Sequence, residues 1–315
     1  MRTEKIRNLR AGLALGALAL LAGCAGAGTT STPAAPAVST APARPAPASG
    51  LPPVSGLACL PDGSFLAVTD VKNDPSRPAP FPPVLRIRAG EKRLTWEPVA
   101  VRWPDPDGAP SDLESVAAVP GTDSFLIVES GFFQGRFGRI FRISSGGDLL
   151  GFTTLTKPVE NIEGTAVARM GDRLIFLDAE RGEDAAATAI RWYDLTLDPL
   201  RLGEPQSVEL RLPEPAGPRH RHVSDLAVDA AGRLFTVSDV DPGDLGPFRS
   251  IVWEIGRVEE GGVTLLPTPR RVATVDGFKV EALAACQGAD GKGRLFLGAD
   301  DEDYGGAIRP LPDGL

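Results

Sequence analysis

One short unit is written five times along this chain, and a unit repeated at such spacing leaves few folds open. Aligned on an alanine, the copies begin Val54-Ser-Gly-Leu-Ala58, Leu113-Glu-Ser-Val-Ala117, Ile162-Glu-Gly-Thr-Ala166, Val223-Ser-Asp-Leu-Ala227 and Val280-Glu-Ala-Leu-Ala284. Each runs through a glycine-containing turn into a second apolar stretch: Phe65 to Thr69, Phe125 to Val128, Leu174 to Leu177, Leu234 to Ser238 and Leu295 to Ala299. The second stretches end on Asp70, Glu129, Asp178, Asp239 and Asp300. In the first four copies this acid follows the first-strand Ser or Glu by 15 residues, as from Ser55 to Asp70; in the fifth, Gly288 to Gly293 lengthens the turn.

Between copies lie two further strand-like pieces: Val84 to Arg88 and Leu94 to Val101, Arg139 to Ser144 and Leu149 to Leu155, Ile190 to Leu195 and Gln206 to Leu212, Ile251 to Arg257 and Arg271 to Val275. Gly, Pro and Asp turns separate them. Four strands per unit, in tandem and with no competing helical period, predict an all-β chain folded as a β-propeller of four-stranded blades. Five repeats are detected and a sixth is not excluded. After the second strand of the last copy only Ala307 to Leu311 remains, so the expectation is a five-bladed ring, or one closed by residues just before Val54.

The propeller is expected over residues 54–315. Ahead of it, residues 1–23 combine Arg2, Lys5, Arg7 and Arg10 with an apolar run from Ala11 to Leu21, the pattern of a signal peptide. The run ends in Leu21-Ala22-Gly23-Cys24, which resembles a bacterial lipobox; Cys24 would then carry the lipid that anchors the mature chain. Ala25 is not Asp, so the resemblance implies an outer-membrane or periplasm-facing envelope lipoprotein. Residues 24–53, rich in Ala, Pro, Ser and Thr, have no periodicity and cannot bury a core. They are expected to be a disordered tether. The net charge of −8 argues against a nucleic-acid partner; the expected partner is a small anionic ligand or an envelope protein, with the chain a monomer.

Propeller geometry turns the repeat into a site. The start of each first strand and the end of each antiparallel second strand lie on one face. That gathers Glu114, Glu163 and Glu281 at one mouth, with Asp70, Glu129, Asp178, Asp239 and Asp300 slightly further out. Asp112, Asn161, His222 and Lys279, two residues before the first-strand Ser or Glu, approach the same mouth. So many carboxylates repel one another unless something neutralises them. Oxygen ligands suit calcium, or magnesium or manganese, and the expected set is Glu114, Glu163, Asn161, Asp225 and Glu281. Turn amides and arginines are the other means of neutralising them. Arg136, Arg139, Arg181 and Arg249, on loops at this face, are candidates to hold an anionic substrate. Both histidines lie in Arg219-His220-Arg221-His222; His222, with Glu163 and Asp225, is the candidate acid–base group. Cys59 and Cys286 fall in the first strands of the first and last copies, adjacent in a closed ring, so a disulfide there would lock it.

Ile162-Glu-Gly-Thr-Ala166 with Arg173-Leu-Ile-Phe-Leu-Asp178, and Val54-Ser-Gly-Leu-Ala58 with Phe65-Leu-Ala-Val-Thr-Asp70, resemble the repeats of phytase-like and esterase-like propellers. The SdiA-regulated propeller proteins are similar, and gluconolactonase-type propellers more distantly so. The resemblance implies a secreted or periplasmic propeller, often calcium-dependent, hydrolysing phosphoesters, esters or lactones. A non-catalytic ligand- or protein-binding scaffold is the alternative.

Overall fold

The computed structural model describes residues 50–72, 79–90, 93–104, 108–131, 138–155, 161–183, 186–214, 219–288 and 290–311. Among them the chain forms five antiparallel sheets in sequence order, one per repeat. The first blade is β1 (Gly56–Cys59), β2 (Phe65–Val68), β3 (Val84–Ala89) and β4 (Leu94–Pro98). The second is β5 (Leu113–Ala118), β6 (Ser124–Glu129), β7 (Arg139–Ser144) and β8 (Leu149–Thr154). The third is β9 (Ile162–Met170), β10 (Arg173–Glu180) and β11 (Thr188–Leu197), with β12 (Leu200–Leu202) and β13 (Gln206–Leu210) both paired to β11. The fourth has a divided inner strand, β14 (His220–Arg221) and β15 (Leu226–Val228), both on β16 (Arg233–Val240), followed by β17 (Arg249–Glu259) and β18 (Gly262–Asp276). The fifth is β19 (Val280–Gln287), β20 (Gly293–Asp300) and β21 (Gly306–Pro310).

The hydrophobic core is not one mass but five clusters, one in each seam between neighbouring blades. Here the repeated alanine finds its reason. Ala58, Ala117, Ala166, Ala227 and Ala284 each pack into the seam toward the next blade round the ring. Inner strands of neighbouring blades lie closest together near the axis, where a small side chain packs into the seam without forcing the strands apart. Larger side chains fill the seams further out: Phe176 and Phe235 are fully buried there. Truncating one of these to alanine costs about 3–5 kcal/mol.

The fifth blade is completed from the other end of the chain. Leu51 forms an antiparallel bridge to Gly306 on β21, whose N–H donates to the Leu51 carbonyl at 2.9 Å, and the Val54 N–H donates to the Ala299 carbonyl at 3.3 Å. A Cβ on Gly306 would lie 1.9 Å from the Pro52 carbonyl oxygen, so only glycine admits this closure. Cys59 and Cys286 are joined as a disulfide across the same seam, with Cα atoms 5.7 Å apart. Cys59 follows its repeat alanine by one residue and Cys286 by two, and that difference does not hold them apart. The sequence expectation of a ring closed by residues just before Val54 is met.

Candidate functional site

The first-strand glutamates owe their direction to a feature repeated at the same place. In the second blade Leu113 pairs with Glu129 and Ser115 with Val128, which leaves Glu114 as the extra residue of a β-bulge. Glu163 is the extra residue between Ile162 and Gly164, and Glu281 between Val280 and Ala282. A bulge takes a side chain out of strict alternation and re-aims it. Three blades thus present a buried glutamate at the mouth by one device. Asp112 and Asn161, each two residues before such a glutamate, have left-handed backbones, at φ 66° and 50°. Asp and Asn tolerate that region better than most residues.

Electrostatically the mouth divides into paired and unpaired acids. Glu163 is held by Arg181, whose Nε donates to Oε1 at 2.8 Å. Glu281 meets Arg221 at 2.9 Å and Lys279 at 3.0 Å. Arg221 also pairs with Asp241, and Lys279 with Glu302. Lys72 pairs with Asp112. Glu114 has no hydrogen bond or ion pair among the described residues, yet it is only 8 % exposed. Burial, then the fields of Glu163, Asp70 and Glu281, push its carboxyl well above the usual range. Burial also raises Glu163, to about 7, against the opposing pull of Arg181. Asp300 is raised to about 8 by burial and by Glu281. Ser55 stands where other blades carry the bulged glutamate; its hydroxyl is buried and has no hydrogen-bond partner among the described residues.

Three of the repeated acids meet partners inside their own blades. Glu129 is gripped by Arg139 at 2.6 and 2.9 Å and accepts the Ser111 N–H at 3.0 Å. Arg139 is buried, and its remaining nitrogens reach the Gly108 and Ala109 carbonyls, both at 3.3 Å. Asp178 pairs with Arg191 at 2.5 Å. Asp239 accepts from the Ser224 hydroxyl, and burial lifts it to about 6.

The remaining candidates are dispersed. Arg249 starts β17, half-exposed, with Asp276 at 3.5 Å. His222 is buried against the His220 ring, with Nδ1 accepting the Leu212 N–H at 3.2 Å. The Asn161 carbonyl accepts the Arg181 N–H at 2.9 Å. Arg136 and Cys24 lie outside the described residues, as do residues 1–49, which take in the expected signal peptide and most of the expected tether.

The donor set does not fit a calcium-type ion as arranged. Among the described residues no three His, Cys, Asp or Glu side chains are placed to hold a metal. Glu163 and Glu281 already face cations, and Asp225 spends its oxygens on the protein: Oδ1 accepts from the Ser115 hydroxyl at 3.0 Å and the Leu226 N–H at 2.8 Å, and Oδ2 from the Leu283 N–H at 2.7 Å. Asp225 lies one residue deeper than the bulged glutamates. Beyond it the channel becomes a cavity of about 320 Å³, lined by the inner strands, including all five repeat alanines, with Cys59 and Cys286 in its wall. Its lining holds none of the mouth carboxylates.

The bulge that aims the glutamates was beyond sequence reasoning, which marked the residues without their orientation. Lys279, expected at this mouth, stands there against Glu281, whereas the pairing of Arg221 with the same glutamate was not foreseen.

No family model and no curated protein matches this chain. Solved structures do. It is similar to a thermostable family-43 glycoside hydrolase, at 9 % identity over 85 % of this chain and 93 % of that one, with a TM-score of 0.52. An endo-arabinase from Bacteroides thetaiotaomicron matches at 11 % identity, over 85 % of this chain and 97 % of that one, with a TM-score of 0.51. At such identities the likeness is one of fold: what this chain shares with both is the propeller scaffold.

Proposed function

We propose that this propeller is a hydrolase acting at its acidic mouth on a neutral, hydroxyl-rich substrate, a glycoside in the first instance. Glu114 is the general acid and Glu163 its carboxylate partner. One observation carries the reading: two buried glutamates, of which one has no ion pair or hydrogen bond among the described residues and the other is held by an arginine. Burial and the neighbouring acids favour the protonated form of Glu114, while Arg181 favours the ionised form of Glu163. Two carboxyl groups in unlike protonation states are what glycosidic hydrolysis uses, one to protonate the leaving oxygen and one to act as base or nucleophile. Asp70 and Asp300 would accept hydrogen bonds from substrate hydroxyls.

Two considerations weigh against the phosphoesters implied by the phytase-like resemblance. The mouth holds more acids than bases, which repels an anion. Arg139 and Arg181, the arginines a phosphate would need, are each occupied by a glutamate. The names of the two similar structures agree in kind with glycoside hydrolysis, on the strength of fold alone. No step is routed through a metal. Anchoring at the envelope through Cys24 remains part of the proposal.

The test is a screen of the purified chain against nitrophenyl glycosides and oligosaccharides, with nitrophenyl phosphate and acetate alongside. Glycoside turnover is expected, and Glu114→Gln and Glu163→Gln should each lower it by about 10²–10⁴-fold at unchanged melting temperature. Turnover of the phosphate alone, or glycoside turnover indifferent to both substitutions, refutes the assignment. Saturable sugar binding with no turnover would make the chain a binding scaffold instead.

A further inference from the structure

We infer that Asp225 is a positioning residue: it ties together, at the propeller axis, the strands that carry Glu114, Glu163 and Glu281. This rests on the mouth carboxyls being the reacting groups, and it places Asp225 outside the groups that touch substrate.

The argument begins with the repeat. Directly after the bulged position the blades carry Gly56, Ser115, Gly164, Asp225 and Ala282. Four of these are small because the axis is crowded. A Cβ on Gly56 would lie 2.7 Å from the Val116 nitrogen, and one on Gly164 would lie 2.7 Å from the Asp225 carbonyl carbon and from the Leu226 nitrogen. The fourth blade alone puts a long side chain there. It does so where its inner strand is interrupted between β14 and β15, so the backbone at Asp225 is free of the ladder. That residue is fixed from behind, since the Thr236 hydroxyl donates to its carbonyl at 2.8 Å.

From this point the carboxylate reaches two other blades directly and a third through Ser115. Ser115, which donates to Oδ1, is the residue after Glu114. The same hydroxyl oxygen accepts the Thr165 N–H at 3.1 Å and the Thr165 hydroxyl at 2.9 Å, two residues beyond Glu163. It thus donates once and accepts twice, its full capacity. The Leu283 N–H, which donates to Oδ2, is two residues beyond Glu281. The first blade joins by contact, through Gly56 against Ser115. One side chain, 1 % exposed, therefore sets the spacing of three glutamates carried on three separate sheets. No strand ladder links those sheets to one another; single backbone bonds join neighbouring blades, as from the Ile162 N–H to the Ser130 carbonyl and from the Val223 N–H to the Arg181 carbonyl, and at the axis Asp225 and Ser115 add the side-chain bridges. Burial raises the Asp225 carboxyl well above the usual range, against the opposing pull of the Leu283, Leu226 and Ser115 donors, and those three bonds fix the side chain in place.

The full chain with Asp225→Asn, and separately with Ser115→Ala, tests this. Each variant is first checked for folding by circular dichroism. The carboxyl carbons of labelled glutamate are then titrated by NMR, and glycoside turnover is measured. The inference expects folded variants in which the midpoints of Glu114 and Glu163 move by about half a pH unit or more. It also expects kcat to fall about tenfold or more while KM holds. Unchanged midpoints in both variants, with only a lower melting temperature, would make Asp225 a structural pin and overturn the inference. Should Asp225→Asn fail to fold, Ser115→Ala decides alone, since it cuts the links to the second and third blades and leaves the Leu283 bond. Should the parent chain hydrolyse no glycoside, the proposed function falls, and the titration still decides the role of Asp225.

Discussion

Breaking the Cys59–Cys286 bond should destabilise the chain without opening the native ring. The two residues are separated by 227 positions, so the cross-link closes nearly the whole propeller into one loop. For a loop of that size the chain-entropy estimate is about 5 kcal/mol of stability, exerted on the unfolded chain. The native seam has other supports that survive reduction. Leu51, Leu57, Leu85 and Ala284 share a buried cluster there, and the Leu51–Gly306 and Val54–Ala299 hydrogen bonds remain. Loss of the bond therefore shows in the unfolding equilibrium and not in the fold. With about 2–4 °C per kcal/mol for a domain of this class, the melting temperature of Cys59→Ala/Cys286→Ala should drop by about 10–20 °C. Thermal and urea unfolding of the oxidised chain, the reduced chain and the double variant provide the measurement. The urea slope should rise in the last two, because an unlinked unfolded chain exposes more surface. A double variant that melts within about 2 °C of the oxidised chain, with an unchanged slope, would refute the loop-entropy reasoning.

Two other expectations concern stability. Burial raises Glu163 from 4.5 to about 7 and Asp300 from 3.8 to about 8, so the folded chain binds more protons at these sites than the unfolded chain does. Their contribution is then fully present below about pH 4 and is lost as pH rises toward 8; urea midpoints that rise from pH 5 to pH 8, in the parent but not in Glu163→Gln/Asp300→Asn, would contradict it. Gly164→Ala should cost about 1–3 kcal/mol, because its Cβ meets backbone atoms of the neighbouring blade that cannot swing aside. An unfolding midpoint equal to the parent's would show that the axis has slack.

Much of the fold was legible before any coordinates. The alanine on which the repeats align proved to be the residue that fits where blades converge, so the signal and its physical cause coincide. Strand starts and ends could be assigned to one face because antiparallel pairing requires it. The site was legible only as a set of names. Glu129 and Glu114 occupy equivalent-looking ends of adjacent strands, yet one is bound inside its blade by Arg139 and the other stands unpaired at the mouth. Nothing in the spacing separates them.

By itself, then, the amino-acid sequence determined the repeat, the blade count within one and the face on which acids collect. Those follow from period-two alternation and the 15-residue return from a first strand to its acid, which are local. Tertiary structure decided which carboxyls keep a cation, which are left to repel one another, and that Asp225 turns inward to bind Ser115 and Leu283. These depend on bulges and on contacts between separate blades, where residues far apart in the chain meet at a crowded axis and compete for the same few donors.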